Sequence, residues 1–178
     1  GADIDLLLLT HLHSDHVVDL FQLVISSWHQ GRDRGLQVVG PAGTQQFVGS
    51  LLEVWRPELE GRVMHEKRPS VEGLDVEINE IGHGAEMELG DLLIEAFEVD
   101  HRPMVPAFGY SFREHDNHLV ISGDTGPCET LIEAAMGCDV LLHDVLLKHE
   151  MVPAEGIRTQ ETIDQVASYH ATADQVGR

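Results

Sequence analysis

The 178-residue sequence is poor in positive charge and in cysteine. Only 11 lysines and arginines stand against 31 aspartates and glutamates, which gives a formal net charge of -20. Because phosphates would be repelled, this balance argues against a binder of long nucleic acid or of an anionic membrane. The two cysteines, Cys128 and Cys138, form no CxxC motif, so neither a disulfide framework nor a thiolate zinc site is indicated.

Long apolar runs are missing as well. The leucine run at residues 6–9 is far too short to span a bilayer and lacks the flanks of a signal peptide. We therefore expect no membrane partner and a cytoplasmic location, and the scarce cysteines fit a reducing compartment. An apolar content of 42% is enough to close a core, so a single domain over residues 1–178 is expected.

Strand and helix patterns alternate at both ends of the sequence. The apolar run at 4–9 predicts a strand buried on both faces, and apolar side chains spaced by three and four from Val17 to Trp28 predict a helix that begins at about His16. The same reasoning predicts strands at 36–40 and 138–145, and helices at 44–55, 129–136 and 159–169.

The middle of the sequence has a different pattern. Apolar and polar side chains alternate in short segments separated by turn residues, which is typical of antiparallel strands. These segments are 74–81, 92–99, 107–112 and 118–122. The predicted fold class is therefore mixed α/β with an antiparallel meander in the middle.

The loop after the first predicted strand is crowded with residues that bind metals. His11, His13, Asp15 and His16 form the motif HxHxDH. Imidazole and carboxylate groups suit zinc, iron or manganese, and four of them in a short loop can be divided between two adjacent ions. The alternative is a solvated, histidine-rich loop, and we favour the metal site.

This motif and two later segments resemble the metallo-β-lactamase superfamily of metallohydrolases. In that family a histidine follows the antiparallel strands, as His101 does in EVDHRP, and a bridging aspartate follows, as Asp124 does in VISGDTGP. The resemblance implies an αββα sandwich that is incomplete at both ends. The family's opening strands and its last metal-binding histidine have no counterpart here, so the chain would be a fragment of a longer domain.

The resemblance also implies a division of ligands between two divalent ions. One ion would be held by His11, His13 and His101, and the other by Asp15 and His16, with Asp124 bridging the two. Zinc is the expected metal, with manganese or iron as alternatives.

Within the superfamily the sequence is similar to the ribonuclease Z and arylsulfatase-like branch. The segments THLHSDH, PAFGY, SGDT and YHATADQVGR all resemble that branch. The resemblance implies Asp15 and His170 as catalytic residues, the first orienting the nucleophile and the second contacting the phosphate or protonating the leaving group. An exposed residue before a Thr172 helix cap is the alternative for His170. Relatives are commonly dimers, which implies a homodimer.

Two divalent ions about 3.5 to 4 Å apart can hold a hydroxide between them and stabilise the transition state of a hydrolysis. The sequence thus predicts a metal-dependent hydrolase of phosphodiester bonds, or of related sulfate or carboxylic esters. The negative charge, and the absence of the long basic arm of ribonuclease Z between His101 and Asp124, favour a small-molecule ester over a long nucleic acid. The alternatives are a di-iron redox protein on the same fold and a lactamase- or glyoxalase-type hydrolase.

Other polar residues receive weaker predictions. His143 and Asp144 follow the apolar run VLL, and the sequence leaves open whether they form a polar pair at a strand end or contact the metal site. Turns and polar faces favour a surface position for His83, His115, His118 and His149.

Overall fold

A computed structural model describes residues 3–67 and 71–177. The ends of the single domain predicted over residues 1–178, including the Arg178 of the YHATADQVGR segment, lie outside the described residues. Two compact units make up the chain, Gly1–Ile81 and Gly82–Arg178, and each contains one sheet together with helices. The predicted mixed α/β class is therefore confirmed, whereas the single domain stays a prediction.

The first unit is built on a parallel sheet. Its strands are β1 (Leu6–Leu8), β2 (Leu36–Gly40) and β3 (Val76–Glu80), and its helices are α1 (Ser14–Val17), α2 (Leu20–His29) and α3 (Thr44–Glu66), with a 3-10 turn at Glu72–Leu74. The central strand β2 pairs in parallel with both neighbours. Val24 of α2, Val38 of β2 and Val48 of α3 are fully buried in one apolar cluster. This packing explains the stripe that the sequence shows on α2.

The second unit is built on a mostly antiparallel sheet. Its strands are β4 (Ala85–Leu89), β5 (Leu92–Glu98), β6 (Phe108–Glu114), β7 (Asn117–Ile121) and β8 (Val140–Leu142), and its helices are α4 (Glu129–Ala135), α5 (Gln160–Ala167) and α6 (Ala173–Val176), with a 3-10 turn at Lys148–Glu150. Strands β4 to β7 pair antiparallel in sequence order, and β8 joins the edge parallel to β7. Leu131 of α4 packs with Phe97 and Val120 of the sheet. Because β7 and β8 run in the same direction, the loops that follow them leave from one edge of the sheet.

Several strand predictions are wrong in part. The segment at 74–81 forms β3, which pairs in parallel with β2 instead of joining the meander. Strand β4, which the sequence pattern did not predict, takes that place beside β5. Strand β1 covers three residues and is only half-buried, and β8 covers three exposed residues where a longer buried strand was predicted. Alternation predicts that a segment is extended, but it does not identify the neighbouring strand.

Two helix predictions differ from the structure. The first predicted helix is divided, with α1 ending at Val17 and α2 beginning at Leu20. Helix α3 continues to Glu66 through Pro57, although a proline removes one helical hydrogen bond and favours an end before it. Ion pairs of Arg62 with Glu58 and Glu66 support the last two turns. No helix in the described part of the chain is long and apolar enough to cross a membrane.

Candidate metal centre

The loop after β1 places the histidines of the first motif side by side. His11 Nε2 lies 3.1 Å from His13 Nδ1, and the ring centroids of His11 and His16 are 4.5 Å apart. The His11 side chain is buried, and its Nδ1 lies 3.0 Å from the hydroxyl oxygen of Thr10. A hydrogen bond from the Leu9 N–H to the carbonyl of Val39 anchors the start of this loop to β2. The first unit therefore presents a compact cluster of imidazole donors.

Asp15 lies in the first turn of α1 and is more open to solvent than the histidines around it. Its side chain is 82% exposed, and its Oδ2 lies 3.7 Å from His16 Nε2. An exposed carboxylate beside an imidazole can accept a proton or bind a cation. Its roles as a ligand and as a catalytic residue stay predictions.

The second unit brings the other three predicted site residues together. His101 follows β5, Asp124 lies in the loop after β7, and His170 lies between α5 and α6. One ligand atom from each of the three lies within 4.8 Å of the other two. His101 is fully buried, and the other two are partly buried. Two imidazoles and a carboxylate at these distances have the donor chemistry of a zinc or manganese site.

Hydrogen bonds set the tautomers of the two histidines in this cluster. His101 Nδ1 lies 3.1 Å from the carbonyl oxygen of Tyr169, and His170 Nδ1 lies 2.6 Å from Asp144 Oδ2. A carbonyl oxygen only accepts, so the His101 Nδ1 carries the proton and the lone pair is on Nε2. Histidines that bind metals or transfer protons generally have such an orienting partner on the second nitrogen.

The sequence leaves the role of Asp144 open, and the structure places its carboxylate against His170. The signal lay in the strand order, because Asp124 follows β7 and Asp144 follows the parallel neighbour β8. Parallel strands bring the residues after their carboxyl ends to the same edge of a sheet. His143 does not share this contact, and its Nδ1 lies 2.6 Å from the Asp144 carbonyl oxygen.

Backbone hydrogen bonds join the loops that carry these residues. The Ala171 N–H donates to the carbonyl of Thr125 at 2.8 Å, and the Ala171 carbonyl accepts from the Leu146 N–H at 2.8 Å. The Gly126 N–H donates to the carbonyl of Asp100 at 2.9 Å. The three backbone segments that carry His101, Asp124 and His170 are therefore hydrogen-bonded to one another, which keeps the side chains of the cluster in place.

One of the four predicted surface histidines is buried. His118 is 6% exposed, and its Nε2 lies 2.9 Å from the Ser111 hydroxyl in the neighbouring strand. Its position in a strand at a turn suggested exposure, but α4 covers this face of the sheet. His83, His115 and His149 are exposed, as predicted.

Comparison with known proteins identifies the family. A family model described as a beta-lactamase superfamily domain matches residues 1–177. The sequence is 33% identical over 174 residues to a protein named ribonuclease Z from Mycobacterium sp. (strain KMS), a match that covers 95% of this chain and 58% of the relative. The chain thus spans less than two thirds of that relative's length.

Solved structures confirm the predicted fold. The short form of human tRNase Z superposes with a TM-score of 0.70 at 18% identity, covering 99% of this chain and 67% of that chain. The metallo-β-lactamase fold protein YhfI from Bacillus subtilis superposes with a TM-score of 0.66 at 15% identity, covering 99% of this chain and 60% of that chain. At these identities the likeness shows the fold alone.

The expected substrate class needs correction. A small-molecule ester was predicted, with long nucleic acid as the less favoured substrate, whereas the relatives are named ribonuclease Z and tRNase Z, which are names of RNA-cleaving enzymes. The prediction was wrong because a net charge sums the whole chain, while binding depends on the local potential at the site. Bound divalent ions add positive charge that a count of side chains omits.

The fold, the sequence match and the donor set agree with one another. The metallo-β-lactamase fold implies divalent metal ions, and both units carry clustered histidine and aspartate donors that fit them. The chain belongs to the metallo-β-lactamase superfamily and is similar to its ribonuclease Z branch.

Proposed function

We propose that this chain is the metal-dependent catalytic core of an enzyme that hydrolyses phosphodiester bonds in RNA. The observation that carries the proposal is the cluster of His101, Asp124 and His170 with Asp144 behind it, in a chain of this superfamily. RNA is proposed as the substrate because the relatives are named ribonuclease Z. Those relatives are longer than this chain, so the proposal concerns the reaction at this site and not every activity of a longer protein.

We infer that two zinc ions use the ligands that the resemblance implies. His11, His13 and His101 would hold one ion, Asp15 and His16 the other, and Asp124 both. The imidazole contacts of the first unit and the three-residue cluster of the second unit support this assignment. When bound, the two ions supply a nucleophilic water at neutral pH and offset the charge of the phosphate.

The side chains of this chain supply the proton transfers. The Asp15 carboxylate accepts a proton from the attacking water, whose oxygen forms a bond to phosphorus. The bond from phosphorus to the leaving ribose oxygen breaks, and His170 donates the proton on its Nε2 to that oxygen. Asp144, which is hydrogen-bonded to Nδ1 of the same ring, offsets the positive charge of the protonated ring.

Metal content and activity test the proposal together. Elemental mass spectrometry after gel filtration should find close to two zinc ions per chain, and His101→Ala should lose at least one of them, because its buried ring is a ligand. The zinc-loaded protein should cleave a single-stranded RNA oligonucleotide. Asp144→Asn should keep both ions and lower kcat by about 10²-fold or more, as expected for a lost partner of a general acid.

His149→Gln is the matched control, because it changes an exposed histidine outside the cluster. It should keep the metal content and the kcat of the wild type. A protein that holds two zinc ions and hydrolyses neither RNA nor bis(p-nitrophenyl) phosphate would refute the proposed activity. An Asp144→Asn variant with wild-type kcat on RNA would refute the proton-donor role of His170.

A further inference from the structure

Ser122, the residue directly after β7, has a buried hydroxyl with two fixed partners. The side chain is 1% exposed. Its Oγ donates to the carbonyl of Gly123 at 2.6 Å and accepts from the backbone N–H of Asp144 at 2.9 Å. A hydroxyl has one proton, and a carbonyl only accepts while an N–H only donates, so the direction of both bonds is settled.

These bonds hold the backbone of Asp144 from two sides. Ser122 accepts from its N–H, and the His143 Nδ1 lies 2.6 Å from its carbonyl oxygen. With its peptide groups held in this way, the Asp144 carboxylate has little freedom except rotation of its own side chain. Its Oδ2 lies 2.6 Å from His170 Nδ1.

Ser122 also stands directly before the loop that carries a proposed metal ligand. Its own N–H donates to the carbonyl of Leu142 at 2.9 Å, which continues the pairing of β7 with β8. Asp124 lies two residues further along the chain. One residue therefore joins the loop of Asp124 to the loop of Asp144.

We propose that Ser122 is a positioning residue for the reaction: it fixes Asp144 so that the carboxylate keeps His170 aligned with the leaving oxygen. This inference rests on the proposed function. Without the hydroxyl, the part-buried Asp144 N–H would lose its acceptor, and the loop would shift to find another one. A displacement of about 1 Å at a catalytic group can lower a rate by about 10²-fold.

The leaving group separates this role from a merely structural one. A ribose alkoxide needs a proton as it leaves, whereas p-nitrophenolate leaves readily without one, so a misplaced general acid affects only the first. We expect Ser122→Ala in the zinc-loaded protein to lower kcat on an RNA oligonucleotide by about 10²-fold and to change kcat on bis(p-nitrophenyl) phosphate by less than about threefold. KM should stay the same for both substrates.

Ser111→Ala is the matched control. Ser111 in β6 is also a buried serine, and its hydroxyl contacts His118 instead of the loop of Asp144. This variant should leave both rates unchanged. Ser122→Thr, which keeps a hydroxyl that can accept from the Asp144 N–H, should recover most of the rate on RNA. Equal losses on the two substrates in Ser122→Ala would overturn the proposal.

A measurement on the protein itself keeps the inference separate from the activity. The Nδ1 proton of His170, in a short bond to a carboxylate, should give a far-downfield proton NMR signal that disappears in His170→Gln. Ser122→Ala should move or broaden this signal, and Ser111→Ala should not. Ser122→Cys, whose thiol accepts hydrogen bonds weakly, gives the same test if the alanine variant does not fold.

Failure of the proposed function and failure of the positioning role of Ser122 would give different results. A wild-type protein that hydrolyses neither substrate counts against the proposed function, and the NMR signal still decides whether Ser122 positions the Asp144 and His170 pair. An unchanged signal in the folded Ser122→Ala or Ser122→Cys variant overturns the positioning role, whatever the activity.

Discussion

At the scale of single residues, the partner of each histidine decides what its ring can do. His101 contacts a neutral carbonyl oxygen, and His170 contacts a carboxylate. A carbonyl fixes the tautomer without favouring charge, which suits a neutral imidazole that binds a metal ion. A carboxylate also stabilises the protonated ring, which suits a proton donor. The geometry thus supports different roles for two histidines whose ring centroids are 5.1 Å apart.

His118 gives a prediction for the effect of pH on stability. Burial, with a smaller contribution from the charge of Arg113, lowers the pKa of His118 in the folded protein. In the unfolded chain its pKa returns to about 6.5, so below that pH the unfolded state binds more protons than the folded state. The contribution of His118 to the free energy of unfolding should therefore be greatest above about pH 6.5 and fall as the pH falls.

The matching measurement is Tm between about pH 7.5 and about pH 5.5. His118→Gln, which cannot take up a proton, should lose less Tm over this range than the wild type. His149→Gln is the control, because that histidine is exposed, and it should follow the wild-type curve. Parallel curves for His118→Gln and the wild type would contradict the prediction.

At the scale of elements, the packing of β5 against β6 depends on a glycine. Gly109 pairs directly with Phe97, and a Cβ at this position would lie 2.4 Å from the Phe97 ring and 2.9 Å from the Ile121 carbonyl oxygen. We expect Gly109→Ala to lower the free energy of unfolding by about 1–3 kcal/mol, the usual cost of overpacking, as measured by urea denaturation.

Gly61→Ala is the comparison variant for this prediction. Gly61 lies inside α3, and a Cβ there would have no neighbour within 4 Å. Alanine favours helix over glycine by up to about 1 kcal/mol, so this variant should be more stable than the wild type. A Gly109→Ala variant at least as stable as the wild type would contradict the close packing of the Phe97 ring against position 109.

The elements also show why the sequence predicted part of the fold and part of the site. The HxHxDH loop was recognised because its ligands are adjacent in sequence and follow an apolar run. Strand β3 was assigned to the wrong sheet because alternation does not encode the pairing partner. The contact of Asp144 with His170 joins residues 26 positions apart and depends on the parallel pairing of β7 and β8. A contact between residues so far apart in the sequence produces no local pattern from which it could be predicted.

At the scale of the whole molecule, the charge of -20 opposes the binding of the proposed RNA substrate. Ion pairing on the surface does not remove this excess, and the field of so many carboxylates extends over a Debye length. Attraction for a phosphodiester must then come from a local positive centre, which divalent ions at the histidine and aspartate clusters would supply. The distant carboxylates should therefore repel RNA, whereas divalent ions bound at the site should attract its phosphates.

This opposition predicts an unusual dependence on salt. Raising monovalent salt from about 10 mM to about 100 mM shortens the Debye length from about 30 Å to about 10 Å, which screens the distant carboxylates more than the ions in contact with the phosphate. The kcat/KM for an RNA oligonucleotide should therefore rise over this range. Bis(p-nitrophenyl) phosphate, with a single negative charge, should respond much less. A fall in kcat/KM for RNA, as for proteins that bind phosphates through lysines and arginines, would show that RNA meets a positive surface instead.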